Sequence, residues 1–345
     1  MIRFECDYNE GAHPKILEKL NEINFDQQPG YGNDKYCKNA ANKIKNLCKK
    51  DVDVHFVSSG TQANLISISS ILHPIEGVIC AETGHINVHE TGAIEATGHK
   101  VLTIPSFDGK ITGKEIEKVM YNHENDGAGS IHCVKPGMVF ITHPTENGVI
   151  YTKSELESIK KICKNYNLPL YIDGARLGYG LVAENSDLTL DEIANLCDIF
   201  VIGGTKIGAL IGEAIVICNN NLKKDFRYYI KQRGGLLAKG RLLGIQFDVL
   251  FENDLYFEIS KHAINLALKI KNNFVYNGYK MLYDSTTNQQ FPILKNEALK
   301  TLAKKYLFCK WCQIDENHTA VRFCTSWATR KEDVNELICD IAIPI

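Results

Sequence analysis

Strands and helices alternate between about residues 50 and 250, and this alternation constrains the fold more than any other feature. VDVHFV, GVIC, GMVFIT and LYID have the apolar composition of buried strands, with helical patterns between them. One helix lies in SELESIKKICKNYNLP, where we take Ser154 as the N-cap and Glu157 as its capping-box partner. Alternating strands and helices predict an α/β fold, with a mostly parallel sheet covered by helices on both faces.

The pattern changes after residue 250, where shorter candidate strands occur in KMLYD, KWCQID and AVRFCTSW. We predict a smaller C-terminal α+β domain over residues 251–345, a large domain over residues 31–250 and an N-terminal segment, residues 1–30, near the functional site. A chain of 345 residues suits two domains of this size. No long Pro/Ser linker separates them, so we expect them to pack closely.

Composition argues against several classes of function. The net charge of −2 gives no basic field for nucleic acid or an anionic membrane, and no apolar run is long enough to span a bilayer. Twelve scattered cysteines, with no signal-peptide pattern at the start, predict reduced thiols and a cytoplasmic location. The closest pair, Cys309 and Cys312, lacks further ligands at metal spacing, so we expect no metal site.

The segment SSGTQAN, from Ser58 to Asn64, joins a strand to the start of a helix. Unpaired backbone N–H groups at such a helix start can bind a phosphate. An ordinary N-cap by Ser59 or Thr61 is the alternative. The segment is neither a Walker loop nor a dinucleotide-binding glycine turn, which argues against a nicotinamide dehydrogenase.

Three further side chains stand at or after the ends of apolar strands. Asp173 ends LYID, where open α/β sheets place their ligands, although Arg176 could simply pair with it. Lys206 is the only basic residue in CDIFVIGGTKIGALIGEAIVI; it is either on an exposed turn or a buried amine that can attack a carbonyl. His85, in AETGHINVHETGA, could stack on a ligand or be structural.

Together these features predict one cofactor, pyridoxal phosphate. Its phosphate needs a helix N-terminus and its ring a stacking partner. Its pyridine nitrogen needs a carboxylate, and its aldehyde needs a lysine. A non-catalytic protein that kept only the fold would be expected to have lost Lys206 or Asp173, and both are present.

The chain resembles the low-specificity L-threonine aldolases, pyridoxal-phosphate enzymes of the aspartate aminotransferase fold type. The resemblance is carried by SGTQAN, GHINVHETGA, YIDGARL, GGTKIGALIG and AVRFCTSWAT, and it extends along nearly the whole chain. It implies a seven-stranded type of sheet in the large domain. It also implies a homo-oligomer, either a dimer or a tetramer.

The resemblance assigns the cofactor contacts residue by residue. Lys206 would form the Schiff base with the cofactor, Asp173 would pair with the pyridine nitrogen, and His85 would stack on the ring. The implied phosphate-binding residues are Gly60, Thr61 and Gln62. Lys231, in YYIKQRGG, would reach the phosphate of a neighbouring subunit.

It also assigns substrate contacts. Arg176, close to the cofactor, and Arg322 would bind the α-carboxylate of an amino acid substrate. Cys6 stands where the family often has a serine for the same contact. His85 and His132 are the candidate catalytic bases.

The implied reaction is the cleavage of L-threonine, L-allo-threonine or a related β-hydroxy amino acid to glycine and an aldehyde. Transamination, racemisation or β-elimination by the same cofactor is the alternative, because the cofactor activates every bond at Cα. The chain departs from the family pattern at His89, which replaces an aromatic residue, and at Thr205, which replaces the serine before the lysine.

Overall fold

The computed structural model of the chain describes residues 1–127 and 129–342. The α-helices in these ranges are α1 Pro14–Glu22, α2 Lys35–Cys48, α3 Gly60–Ile71, α4 His85–Val88, α5 Gly113–Glu124, α6 Lys153–Asn165, α7 Leu177–Leu181, α8 Leu190–Leu196, α9 Phe226–Gln232, α10 Arg241–Leu250, α11 Leu255–Tyr276, α12 Asn296–Leu302 and α13 Lys331–Ile341. The strands are β1 Ile2–Arg3, β2 Asp53–Val57, β3 Glu76–Ala81, β4 Val101–Ile104, β5 Lys135–Thr142, β6 Leu170–Asp173, β7 Ile199–Gly203, β8 Glu213–Ile217, β9 Gln289–Gln290, β10 Ile293–Lys295, β11 Tyr306–Leu307, β12 Cys309–Gln313 and β13 His318–Cys324.

The largest sheet has seven strands in the order β2-β8-β7-β6-β5-β3-β4. Six of them run in the same direction, and β8 runs antiparallel to both of its neighbours. The predicted α/β class and the mostly parallel seven-stranded sheet are therefore confirmed. Six strand ends point to the same edge, which gives residues far apart in the sequence a common meeting place.

Helices cover both faces of this sheet. Alternate residues of a strand point to opposite faces. Ile172 and Phe200 belong to one apolar core, whereas Tyr171, Ile199 and Val201 belong to the other. Because both faces are buried, these strands are continuous apolar runs in the sequence, and the runs at β6, β7 and β8 were recognisable for that reason.

The N-cap of helix α6 lies two residues before the predicted one. Thr152 is the N-cap, and its hydroxyl accepts a hydrogen bond from the N–H of Glu155, whose side chain returns the contact. The predicted pair of Ser154 and Glu157 was wrong because both register choices fit the capping-box pattern. With Thr152 as the N-cap, the helix begins two residues nearer to β5 than predicted.

The C-terminal part has a smaller sheet, in the order β10-β13-β12 with β9 also pairing β13. Its strands β12 and β13 overlap the predicted KWCQID and AVRFCTSW segments. The predicted strand at KMLYD was wrong, since the segment forms only an isolated bridge between Met281 and Pro292. The smaller α+β unit is present, and the domain boundaries stay a prediction.

The N-terminal segment links the C-terminal part to the large sheet. Strand β1 pairs in parallel with β11, and the carbonyl of Phe4 accepts a hydrogen bond from the N–H of Cys324 at 2.7 Å. A few residues later, Asp7 contacts Arg176 beyond the end of β6. The segment therefore brings the small part of the chain to the edge where strands β2, β7, β6 and β5 end.

Candidate active site

A cavity of about 270 Å³ lies at this edge of the sheet. It is bordered by residues that follow or end β2, β5, β6 and β7, by the first residue of β8 and by the N-terminal segment. The lining residues are Tyr8, Ser58, Ser59, Gly60, Thr61, His85, Thr142, Glu146, Asp173, Ala175, Arg176, Thr205, Lys206, Ile211 and Glu213.

Helix α3 begins at the cavity. Gly60 is its first residue, and Ser59 is its N-cap, with a side chain that accepts a hydrogen bond from the N–H of Gln62 at 3.3 Å. A Cβ placed on Gly60 would meet no atom within 4 Å, so the backbone here is open to an approaching group. The helix start thus combines the predicted cap with a surface suited to an anion.

Gln62 supports this turn from behind. Its side-chain oxygen accepts a hydrogen bond from the N–H of Ser58 at 3.0 Å, and its side-chain amide donates to the carbonyl oxygen of Arg233 at 3.0 Å. Gln62 is absent from the cavity lining, whereas Gly60 and Thr61 are part of it. Gly60 and Thr61 therefore face the cavity, whereas Gln62 contacts the turn from outside it, and the phosphate-binding roles of all three stay predictions.

Asp173 is buried at the end of β6, with 3% of its surface exposed. Its carboxylate accepts hydrogen bonds from the N–H of Ala175 at 2.9 Å and from the side-chain amide of Asn64 at 3.2 Å. Arg176 does not supply this partner, so the alternative pairing of Asp173 with Arg176 is not found. No local pattern in the sequence predicts the contact of Asn64, which reaches Asp173 from helix α3.

Arg176 instead forms a buried pair with Asp7. Its Nε and Nη2 donate to the two carboxylate oxygens at 2.6 and 2.9 Å, and neither contact uses Nη1. Asn288 donates a third hydrogen bond to Asp7 at 2.9 Å. Burial alone would raise the pKa of Asp7, but the guanidinium outweighs it and holds that pKa at about 2.

His85 is fixed by two acids. Its Nδ1 lies 2.7 Å from Oε1 of Glu90, and its backbone N–H donates to Glu146 at 2.8 Å. Asn64 donates to Glu90 at 2.7 Å as well as to Asp173, so one amide ties the two carboxylates together. Burial acts to lower the pKa of His85, but the hydrogen bond to Glu90 and the charge of Asp173 outweigh it and raise that pKa.

His132 does not belong to the cavity. It is an exposed residue in a short 3-10 helix before β5, whereas the cavity lies beyond the other end of that strand, at Thr142. Eight residues of extended strand span roughly 25 Å. His132 therefore does not line the cavity of its own chain, where His85 is the histidine present, and its role as a catalytic base stays a prediction.

Lys206 is half-buried and lines the cavity after β7. Its carbonyl oxygen accepts a hydrogen bond from the hydroxyl of Tyr179 at 2.7 Å, which fixes the turn that carries it. Its ammonium lowers the pKa of Asp7 and opposes the burial that raises the pKa of Glu213. Lys206 therefore faces buried acids rather than standing on an exposed turn.

The two remaining residues with a predicted substrate contact, Arg322 and Cys6, do not line the cavity. Arg322, on β13, donates to the carbonyl oxygen of Glu5 at 2.9 Å and to the side-chain oxygen of Gln289 at 3.1 Å. The thiol of Cys6 donates to Asn9 at 3.1 Å, and burial raises its pKa. Both residues adjoin Tyr8, which does line the cavity, and their substrate roles stay predictions.

The residues present fit pyridoxal phosphate. The cavity offers open backbone N–H groups at the start of α3, the imidazole of His85, the buried carboxylate of Asp173 and the amine of Lys206. These are the groups that the phosphate, the ring, the pyridine nitrogen and the aldehyde of this cofactor require. The fold and site together define a pyridoxal-phosphate enzyme of the aspartate aminotransferase fold type.

Comparison with known proteins identifies the family. The model of the beta-eliminating lyase family matches residues 7–292, and the chain belongs to this family. A low specificity L-threonine aldolase of Pseudomonas sp. is 32% identical over 98% of this chain and 96% of the relative. A threonine aldolase structure from Leishmania major is 43% identical with a TM-score of 0.96, covering 99% of this chain and 98% of that one.

A more distant structure shows the fold alone. The histidinol-phosphate aminotransferase from Clostridium acetobutylicum is 15% identical, with a TM-score of 0.74 and coverage of 99% of this chain and 98% of that chain. The predicted cofactor, pyridoxal phosphate, and the lyase class are confirmed by the family. No helix within residues 1–127 and 129–342 is long and apolar enough to cross a membrane.

The buried pair of Asp7 and Arg176 gives a test of stability. We expect Asp7→Asn to lower the free energy of unfolding by about 3 kcal/mol, because it leaves a buried guanidinium uncompensated. The matched control is Glu22→Gln, which breaks an exposed pair with Lys19 and should change stability by less than about 0.5 kcal/mol. Urea unfolding of the two variants measures both values, and equal small losses would contradict the importance of the buried pair.

Proposed function

We propose that the chain cleaves L-threonine, L-allo-threonine or a related β-hydroxy amino acid to glycine and an aldehyde, using pyridoxal phosphate. The observation that carries this proposal is the placement of Lys206, Asp173 and His85 around one cavity. The names of the Pseudomonas and Leishmania relatives support aldol cleavage over the other reactions of this cofactor. The substrate is a small amino acid.

When bound, the cofactor supplies an electron sink for the negative charge that develops at Cα. The carboxylate of Asp173, oriented by Asn64 and the N–H of Ala175, would hold a proton at the pyridine nitrogen. Lys206 lines the cavity and would hold the cofactor through its amine. The start of α3 binds the phosphate and so fixes the cofactor in the cavity.

Two arginines orient the substrate. The contacts of Arg176 with Asp7 use Nε and Nη2 and leave Nη1 out. Arg322 lies across the N-terminal segment. Burial raises the pKa of Tyr8, and the charges of both arginines act against this shift, so both lie near the cavity that Tyr8 lines. A guanidinium binds a carboxylate with defined geometry. Fixing the α-carboxylate sets which bond at Cα is aligned for cleavage, and aldol cleavage requires the Cα–Cβ bond.

His85 is the proposed base for the β-hydroxyl. Since its Nδ1 faces Glu90, the neutral ring carries its proton there and presents Nε2 as the acceptor. Glu90 also stabilises the imidazolium that forms after proton transfer. His89 lies beside it, with ring centroids 5.6 Å apart, and we propose that it borders the β-substituent of the substrate.

A second copy of the chain completes the phosphate site in this proposal. The cationic side chains that line the cavity are Lys206 and Arg176, and Arg176 is paired with Asp7. Lys231 is exposed on α9, 4.9 Å over the ring of Tyr31, and lines no part of its own cavity. A homodimer, alone or within a tetramer, would bring Lys231 to the phosphate of the partner.

The twelve cysteines are all free, which supports the proposal of a cytoplasmic location.

The first test is an assay of the holoenzyme on β-hydroxy amino acids of both stereochemistries at Cβ. We expect glycine and an aldehyde in equal amounts. We also expect Lys206→Ala to lose both this activity and the visible absorbance of the bound cofactor, while Lys38→Ala, an exposed control on α2, keeps them. Formation of a keto acid in place of an aldehyde would contradict aldol cleavage. If Lys206→Ala keeps the yellow absorbance of a Schiff base that borohydride reduces, the assignment of Lys206 is wrong.

The second test concerns substrate binding. We expect Arg322→Ala to raise the KM for the amino acid roughly tenfold to a hundredfold, because it loses charged hydrogen bonds to the carboxylate. Arg330→Ala, which removes an exposed arginine that pairs with Asp333, is the control and should leave KM unchanged. An unchanged KM in Arg322→Ala rules out the carboxylate role.

The third test uses mixed subunits. We expect Lys231→Ala and Lys206→Ala each to be inactive at limiting cofactor, and a refolded equimolar mixture to regain roughly a quarter of the activity, because one site in each hybrid dimer has both lysines. Activity and oligomeric mass are measured on the same samples. No recovery in hybrids of confirmed mass would show that Lys231 does not act across subunits.

A further inference from the structure

Glu213 is a buried acid in the cavity that the proposed reaction does not use. It is the first residue of β8, is 3% exposed and lines the same cavity as Lys206. Its Oε2 accepts a hydrogen bond from the N–H of Gly204 at 3.0 Å. A carboxylate at the start of a fully buried strand carries a large desolvation cost, so its presence needs a physical reason.

The sheet places Glu213 at the phosphate end of the cavity. Strand β8 lies between β2 and β7, and Glu213 is paired with Val57 on one side and with Gly203 on the other. Val57 directly precedes Ser58, where the proposed phosphate site begins. The lining has two other carboxyl groups: Asp173 is the last residue of β6 and Glu146 follows β5, and both strands lie farther along the sheet.

The charges around Glu213 favour its protonated form once an anion enters. Burial raises its pKa to about 7, with Lys206 acting against this shift and Asp173 adding to it. Tyr171 and Tyr256 also lie within its electrostatic reach, and burial raises the pKa of both phenols, so they stay neutral. A phosphate with two negative charges would repel an ionised carboxylate in this setting.

We propose that Glu213 takes up one proton from solvent when the cofactor binds and, in that protonated form, donates a hydrogen bond to the phosphate. This inference rests on the proposed cofactor site. Binding and proton uptake are linked, so the cofactor binds more weakly as the pH rises and the proton becomes harder to retain. Glutamine in this position would supply the same kind of donor without a proton to lose.

The test is equilibrium dialysis of the full chain against pyridoxal phosphate between pH 6 and pH 9. We expect wild type and Glu213→Gln to have similar dissociation constants at pH 6, and the wild-type value to exceed that of the variant at least tenfold at pH 9. Glu76→Gln is the control, because Glu76 is also buried but pairs with Lys135 at the opposite edge of the sheet, where the strands begin. The ratio of the dissociation constants of this variant and wild type should not change with pH.

If the ratio of the dissociation constants of wild type and Glu213→Gln does not change with pH, the proposal is overturned. Tighter binding by wild type than by the variant at pH 9 would overturn it as well. If Glu213→Gln does not fold, the wild type is dialysed against pyridoxine phosphate, which has no aldehyde to react with Lys206, and an affinity that does not fall between pH 7 and pH 9 would overturn the proposal. Wild type that binds no pyridoxal phosphate at any pH would instead refute the proposed function.

Discussion

The common direction of β2, β7, β6 and β5 is the constraint on which the site depends. It brings Ser59, Lys206, Asp173 and Glu146 to one edge of the sheet, although they are spread over nearly 150 positions of the sequence. Only β8 runs the other way, which is why a strand begins, rather than ends, at this edge with Glu213. The topology of the sheet therefore determines where the cavity lies, and the individual side chains determine its chemistry.

The balance of charge is the second property of this edge. Asp173, Glu146 and Glu213 line the cavity together with two cations, and one of these, Arg176, is paired with Asp7. An anionic cofactor must enter a space that already contains several acids. Backbone N–H groups at the start of α3, a lysine from a second copy and a proton on Glu213 are three separate ways in which the proposed assembly compensates for this.

The sequence predicted most of the fold because the buried strands are long apolar runs and the helices have clear periodicity. It also located Asp173, Lys206 and the start of α3, since each follows directly from a strand end. His132 lies apart from these residues for a physical reason: it precedes a strand, whereas the cavity lies beyond the carboxyl ends of the strands.

Other functional residues had no local signal. Asn64 contacts partners 26 and 109 positions away, and Asp7 contacts a partner 169 positions away, so these pairings become visible only when the chain is folded. Glu90 is only five positions from His85, but no pattern in the sequence indicates that the two side chains meet. Glu213 is different, because an acid at the start of the apolar run GEAIVI is unusual in itself. The principle that singled out Lys206 in the same run applies equally to this glutamate.

The central claim is a covalent bond between the cofactor and one lysine. Borohydride reduction of the holoenzyme fixes this bond, and peptide mass mapping then locates the phosphopyridoxyl group on the chain. The account predicts a single modified peptide with the added mass on Lys206. Modification of a different lysine would contradict this claim. So would the absence of any modified peptide from an enzyme that retains its cofactor.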